Sequence, residues 1–332
     1  MIKKQIMMFV AAMAAIVAWA ATETVDGITW NYEVRCGKQC VSVICRYWSS
    51  PAVSTATTGA ITIPSTLGGY PVVRIENYAF MNCSGLTSVT IPNSVTTIGR
   101  CAFENCASLT TVKIPENVNK IEGGAFKNCS LLKDIRLPNG LETISSEMFC
   151  GCVSLVNITI PTSVHTIGCH AFDGCSQMQE VVIPRSVNTI EWSAFKDCVS
   201  LKNITLNSGI KNIGHFAFEN CIGLTDVVIP DSVTHLDQCV FRSCSNLVHV
   251  VLPSNIDGIA GYFFKGCTAL KEMRIPSKVK HIGSSAFSEC KSLRSVDLPV
   301  PEGPIMEITS PFWIVAFTSR NTSNPLLYVF FK

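Results

Sequence analysis

Catalytic signatures are missing from this chain of 332 residues. It has no Gly-rich phosphate loop closing on Gly-Lys-Ser/Thr, no His-Glu-x-x-His, no Gly-x-Ser-x-Gly and no carboxylate pair repeated on one face. The arrangements that cradle nucleotides, hold zinc or activate a nucleophile therefore have no local home. An excess of positive charge is missing too. The 26 Lys and Arg stand against 24 Asp and Glu, a formal net of +2, which provides no basic stripe for phosphates and argues against a nucleic-acid partner. Apolar runs long enough to cross a bilayer are also lacking. Residues 6–21 fall short of the roughly 20 that a spanning helix needs, and residues 312–317 and 326–331 fall further short. The six histidines, at 165, 170, 215, 235, 249 and 281, fall at variable places. His235 and His281 share one repeat position, but two coils or roughly 10 Å apart they are too distant to share a metal.

What the chain has is a beat. A Phe-x-x-Cys pair returns every 23 residues, from Phe80/Cys83 through Phe103/Cys106 and Phe126/Cys129 to Phe287/Cys290, in ten copies without a slip. A fixed period of this size is the signature of a solenoid, in which one short unit is stacked into an array. Within a unit the apolar positions Leu86, Val89, Ile91, Val95, Ile98, Ala102, Phe103 and Cys106 are unevenly spaced. Neither one helix nor one long strand fits them, so the unit bends.

The step from Val89 to Ile91 places two side chains on one face of a short strand. Pro92 then ends it, since proline has no amide proton to give a ladder. Proline recurs at 115, 138, 161, 184, 230, 253, 276 and 299, and only Asn207 breaks the column. A turn, the pair Val95 and Ile98, and then Ala102 and Phe103 follow, suited to a short helical or irregular segment. One unit cannot bury this surface alone, so stability is expected to come from nearest neighbours along the array.

The 17 cysteines of a chain read as exported first point to a disulfide framework. The column reads better as free thiols. Cys83 to Cys290 recur in steps of 23 residues, and a buried thiol packs as a small hydrophobe. A parallel stack of identical rotamers does not offer the dihedral a bridge needs. Cys101 and Cys239 lie six coils, about 29 Å, apart and cannot pair. Cys36 and Cys40 could flank a hairpin turn and be bridged. With Cys45 they are three ligands without a nearby histidine, one short of a structural zinc site. No metal and no cofactor is expected.

The unit resembles a leucine-rich repeat: Leu86, Val89 and Ile91 match the LxxLxL strand segment. The closest resemblance is to the BspA-like, or treponemal-type, family. Its IP-x-SV-x-x-IG-x-x-AF-x-x-C unit stands almost verbatim at residues 91–106, 160–175 and 275–290. The resemblance implies a β-rich repeat solenoid of about ten coils of 23 residues, a leucine-rich-repeat superhelix with a parallel concave β-sheet. Two columns depart from the family pattern. Ser94, Asn117, Gly140, Ser163, Ser186, Gly209, Ser232, Asn255 and Lys278 cannot form an unbroken asparagine ladder. The glycine at 99, 168, 214 and 283 gives way to Glu122, Ser145, Glu191, Asp237 and Ala260, so that column does not require a positive φ. The first unit carries an insertion, Leu67-Gly68-Gly69-Tyr70-Pro71, expected to loop out.

The ends read differently. Lys3 and Lys4, an apolar run over 6–17 and Ala18-Trp19-Ala20 form a secretory signal over residues 1–20, cut after Ala20. Residues 21–60 alternate, as in Ile28-Thr29-Trp30-Asn31-Tyr32, and are expected to form a small N-terminal β cap over the apolar end of the solenoid at 61–299. Trp30, Tyr32, Tyr47 and Trp48 offer a ligand platform as the alternative. Beyond Pro299 the period stops, and residues 300–332 read as a tail or an irregular cap.

Function then rests on the residues between the apolar strand positions. One column reads Ser88, Thr111, Asp134, Asn157, Glu180, Asn203, Asp226, His249, Glu272 and Ser295. The other reads Thr90, Lys113, Arg136, Thr159, Val182, Thr205, Val228, Val251, Arg274 and Asp297. The strip, near 48 Å at one strand spacing per coil, is polar at its start, apolar around Val182, Val228 and Val251, and charged near Glu272 and Arg274. The ligand surface expected from it comprises Lys113, Asp134, Arg136, Glu180, Val182, Asp226, Val228, His249, Val251, Glu272 and Arg274. The family resemblance implies adhesion, hence a secreted or cell-surface protein that recognises an extracellular protein or glycan without catalysis. The alternative is a structural spacer with no ligand.

Overall fold

The computed structural model describes residues 20–35, 40–44, 51–298, 307–308, 315–317 and 327–330. The signal segment expected over 1–20 thus lies outside them except for Ala20, as do Cys36, Cys45, Tyr47 and Trp48. The chain is a parallel β-solenoid of about ten turns, with no helix among the described residues. It divides into two compact units, residues 1–140 and 141–332.

In the first unit Ala20–Val25 turns back through Asp26 and Gly27, both at positive φ, to pair antiparallel with Ile28–Arg35. That strand pairs antiparallel with Cys40–Val43, which runs parallel to Tyr70–Ile75 in the first solenoid turn. Trp30 and Tyr32 are buried, and Trp30 meets Phe80 edge-on at 6.2 Å between ring centroids. These two rings are packing, not a ligand platform. The insertion forms a hairpin, Thr66–Leu67 against Tyr70–Pro71, with Gly68 and Gly69 at positive φ. Glu23 holds its tip by accepting the Gly68 amide at 2.6 Å.

Most solenoid turns carry two strand segments. The longer follows the Leu-x-x-Val-x-Ile pattern: Gly59–Thr62, Leu86–Thr90 and Thr111–Lys113 pair in parallel in the first unit. In the second unit the sheet expected from this pattern is broken into pairs. Glu180–Ile183 joins Asn203–Leu206, Asp226–Val228 joins His249–Val251, and Glu272–Arg274 joins Ser295–Leu298. Residues 157–160 contribute only the isolated bridge from Asn157 to Glu180. The proline after nearly every such strand removes a donor, so each ladder holds few bonds and a small shift between turns interrupts it. The second segment, expected to be helical or irregular, contains a two-residue strand that stacks more regularly. Thr143–Ile144, Thr166–Ile167, Thr189–Ile190, Asn212–Ile213 and His235–Leu236 form one five-stranded sheet.

The proline positions also nucleate the bend, since Val95, Val164 and Val233 each donate their amide to the carbonyl three residues back, on Pro92, Pro161 and Pro230. Asn207, which replaces proline, keeps this turn through Ile210 and adds a side-chain bond to the Ile183 carbonyl at 2.7 Å. The family-type ladder is partial. Ser94, Asn117 and Asn255 bond carbonyls of the preceding turn, while the hydroxyls of Ser186 and Ser232 are buried without a partner.

The core is a stack of rings and thiols. In the second unit Phe149, Phe172, Phe195, Phe218 and Phe241 follow one another with centroids 5.1 to 5.5 Å apart and planes within 13°. In the first, Phe80, Phe103 and Phe126 stack at 4.9 and 5.5 Å with planes 4° apart. Such offset stacking is a favoured ring geometry. Every phenylalanine of the column is flanked, two residues before and two after, by a residue in the left-handed region. The first position includes Tyr78, Cys101, His170, Ser193 and Tyr262, and the second Asn82, Asn105, Asp197 and Ser243. Non-glycine residues hold this conformation at a cost, offset by amides turned along the stack. Ser193, Phe195 and Asp197 donate to carbonyls of His215, Ala217 and Glu219 one turn on, each at 2.9 Å.

Beyond 298 the described backbone continues the pairing. Glu307–Ile308 runs parallel to His281–Ile282, Leu327–Phe330 antiparallel to Ser295–Leu298, and Val315–Phe317 antiparallel to Leu327–Phe330.

Candidate functional site

All eleven residues expected to face a ligand are exposed. They divide between the units. In the first, Lys113 ends the strand Thr111–Lys113 opposite Thr90. Asp134 and Arg136 lie on extended chain outside any strand, and Arg136 pairs with Glu116 at 2.9 Å, which itself accepts the Asn139 amide at 3.0 Å.

The other eight belong to the second unit, where strand register sets them side by side. Glu180 stands opposite Asn203 and Val182 opposite Thr205. Asp226 stands opposite His249 and Val228 opposite Val251. Glu272 and Arg274 face Ser295 and Asp297. The alternation that buries Val181 and Val227 turns Val182 and Val228 outward. Val182, Val228 and Val251 are left 60, 62 and 55 % exposed. Valine suits a strand by shape alone, but three large apolar side chains standing open in one column, with Glu180, Asp226 and Glu272 in the column beside it, make a surface with an apolar centre and a charged border.

A second exposed group was not singled out from sequence. Trp192, 50 % exposed, follows the short strand Thr189–Ile190 on another part of the turn. Its ring lies 5.2 Å from that of His170, tilted by 55°. His170 is held by Asp173, Nδ1 to Oδ2 at 2.8 Å, and its amide donates to the Trp192 carbonyl at 2.9 Å. Glu191 accepts both the amide and the thiol of Cys169, at 3.0 and 3.2 Å, and burial together with this carboxylate raises the Cys169 pKa. His215 on the next turn places Nε2 3.8 Å from Oδ2 of Asp237, one turn further on. The signal available in the sequence is the column itself: Trp192 stands where other turns carry Asn77, Arg100, Gly123, Ser146, Cys169 and His215.

Beside this group runs a column of alternating charge. Lys196 pairs with Glu219 at 3.4 Å, and Glu219 with Arg242 at 3.5 Å. Glu219 is the more buried partner of both pairs, and each pair links one turn to the next. Among the described residues no group of three or more His, Cys, Asp or Glu is placed to hold a metal ion, and no helix is long and apolar enough to cross a membrane. Among the described residues the cysteines of the Phe-x-x-Cys column are not paired with one another in disulfides.

The chain matches the family model for the BspA type Leucine rich repeat region, in six copies, over residues 55–179 and 165–294. No curated protein matches it. Among solved structures it is similar to the pneumococcal vaccine antigen PcpA, with 18% identity, 89% of this chain and 86% of that one covered, and a TM-score of 0.57. That likeness shows the fold. A leucine rich cell surface protein from Faecalibacterium prausnitzii shares 24% identity over 86% of this chain and 96% of its own, with a TM-score of 0.49. The Treponema pallidum leucine-rich repeat protein shares 24% over 82% and 90%, with a TM-score of 0.42.

Proposed function

The chain belongs to the BspA-type leucine-rich repeat family, and we propose that it is a secreted or cell-surface recognition protein that binds an extracellular protein through its strand face, without catalysis. The observation that carries this reading is the open column of Val182, Val228 and Val251, more than half exposed, two of them beside the buried Val181 and Val227 of their strands. An apolar centre bordered by Glu180, Asp226, His249 and Glu272 has the composition of a protein-binding patch, in which the centre supplies energy and the charged rim selects the partner. Export is supported by the signal pattern over residues 1–20, and residues 21–60 act in this reading as the cap that leaves the solenoid soluble.

The test is binding of the purified chain to a panel of immobilised extracellular-matrix and cell-surface proteins. A saturable interaction weakened about tenfold or more by Val228→Asp or Val251→Asp is expected. Absence of any saturable partner, or binding indifferent to both substitutions, would leave the chain a spacer and sink the reading. Mass measurement of the exported chain, expected to begin at Ala21, tests the signal separately.

A further inference from the structure

Trp192 is accounted for neither by the repeat nor by the core. Its column otherwise holds residues such as Ser146, Cys169 and His215, and the core position of its turn is filled by the buried Phe195. A half-exposed indole costs hydration wherever it stands free. We propose that the edge of the second unit around Trp192 is a binding site for a neutral pyranose oligosaccharide.

A pyranose ring presents a flat apolar face of C–H groups and a rim of hydroxyls, so its recognition needs an open aromatic face with hydrogen-bonding groups beside it. Trp192 supplies the face. Its orientation is restrained by the tilted ring of His170, itself fixed by Asp173 at 2.8 Å. Such restraint lowers the entropy lost on binding. The backbone under it is braced as well, because the His170 amide donates to the Trp192 carbonyl and the next amide, that of Ser193, donates to the His215 carbonyl, both at 2.9 Å.

The rim groups are present. Glu191 precedes Trp192 directly and uses Oε2 for Cys169, so Oε1 is the oxygen placed to receive a hydroxyl. His215 stands on the turn that follows, and its Nε2 lies 3.8 Å from Asp237 Oδ2 on the turn after that. Turns recur at about 4.8 Å in a parallel stack, close to the advance per residue of an extended glycan. One sugar on Trp192 therefore puts its neighbour beside His215. Carboxylates at Asp173, Glu191 and Asp237 select against acidic sugars by like-charge repulsion. A protein hot spot is the less fitting occupant, since it would need an apolar surround, and beside Trp192 stand the imidazoles of His170 and His215, the carboxylate of Glu191 and the thiol of Cys169.

This site lies after the short strand, away from Val182, Val228 and Val251, and does not rest on the strand-face reading. The experiment is calorimetric titration of the full chain with β-1,4-gluco-, β-1,3-gluco-, β-1,4-xylo- and β-1,4-manno-hexaoses, with an oligogalacturonate as the acidic control. At least one neutral hexaose is expected to saturate while the acidic one does not. Trp192→Ala should weaken binding about tenfold or more, Trp192→Phe by less, and Val228→Asp not at all. The urea midpoint of Trp192→Ala, expected to match that of the parent, shows that the loss is local. Failure of every neutral hexaose to saturate, equal binding of the acidic control, or affinity unmoved by Trp192→Ala would overturn the proposal. So would a protein partner that is lost with Trp192→Ala while every sugar fails.

Discussion

The thiol of Cys221 donates a hydrogen bond to the carbonyl of Phe195 at 3.0 Å, joining the cysteine of one turn to the phenylalanine of the turn before. The same bond recurs from Cys175 to Phe149, Cys198 to Phe172, Cys244 to Phe218 and Cys267 to Phe241, and in the first unit from Cys106 to Phe80 and Cys129 to Phe103. The thiol is thus both filler and donor. A thiol is a weak donor, yet each of these is buried and points at a carbonyl that water does not reach.

Cys221→Ala removes a sulfur from a fully buried site and leaves the Phe195 carbonyl with only its longer bond from the Cys198 amide, at 3.4 Å. The expected cost is about 1–3 kcal/mol from the cavity and the lost bond together. Cys221→Val also removes the donor but adds volume to a closely packed site, and should cost about 1–3 kcal/mol through over-packing instead of a cavity. Urea denaturation of the full chain measures both; an alanine variant with the parent midpoint would show that the column contributes nothing.

The same burial makes stability depend on alkaline pH. Burial raises the pKa of Cys244 from an ordinary 9.0 to about 12, and that of Cys290 likewise to about 12. Cys175, Cys221 and Cys267 are raised well above the ordinary value by burial. In the unfolded chain these thiols ionise near pH 9 while the folded chain still holds its protons. The unfolded state then binds fewer protons, so stability is complete below pH 9 and falls between 9 and 12, by about 1.4 kcal/mol per pH unit for each thiol. Urea denaturation at pH 8 and pH 10 should show this fall. Cys244→Ala should make it smaller by the share of one thiol, and equal stability at the two pH values would contradict the assignment.

Much of this was legible in the sequence because a solenoid makes each apolar column meet only its own copies. The Phe-x-x-Cys beat, the proline that ends the strand and the outward residues Val182, Val228 and Val251 could all be placed from spacing alone. The second strand at Thr97–Ile98 was not, because two residues are too few to show alternation and the ladder comes from neighbouring turns. The left-handed positions were hidden for another reason. Asn82, Cys101, Asp197 and Phe216 share no side-chain property, and their conformation is enforced by amides that bond along the stack. Trp192 escaped because reading by columns attends to what repeats.

Phe195 sits between Phe172 at 5.1 Å and Phe218 at 5.5 Å, fully buried. Phe195→Ala removes both stacking contacts and opens a cavity that the rigid turns on either side cannot close. A loss of about 3–5 kcal/mol is expected. Phe195→Leu, which keeps part of the volume, should lose less. Thermal or urea unfolding measures both, and a midpoint unchanged in Phe195→Ala would remove Phe195 from the core.

The Ile-Gly column accepts Glu122, Ser145 and Ala260 on other turns, so glycine at Gly99 answers to the local close approach and not to φ, which is not positive there. A β-carbon on Gly99 would fall 2.6 Å from the backbone nitrogen of Asn77 and 2.6 Å from the carbonyl carbon of Glu76. Both are main-chain atoms of the preceding turn, and Gly99 donates its own amide to the Ile75 carbonyl at 2.8 Å, so relief of the clash stretches the stack. Gly99→Ala is therefore expected to destabilise by about 1–3 kcal/mol. At Gly140 the same carbon would meet nothing nearer than Asn119 Cβ at 3.9 Å. There Gly140→Ala should be neutral or stabilise by about 0.4–1 kcal/mol, through the lower entropy of the unfolded chain. Opposite signs for one chemical change within the first unit separate a contact effect from a general preference for glycine in turns. Equal losses at both positions, read from urea midpoints, would refute the contact argument.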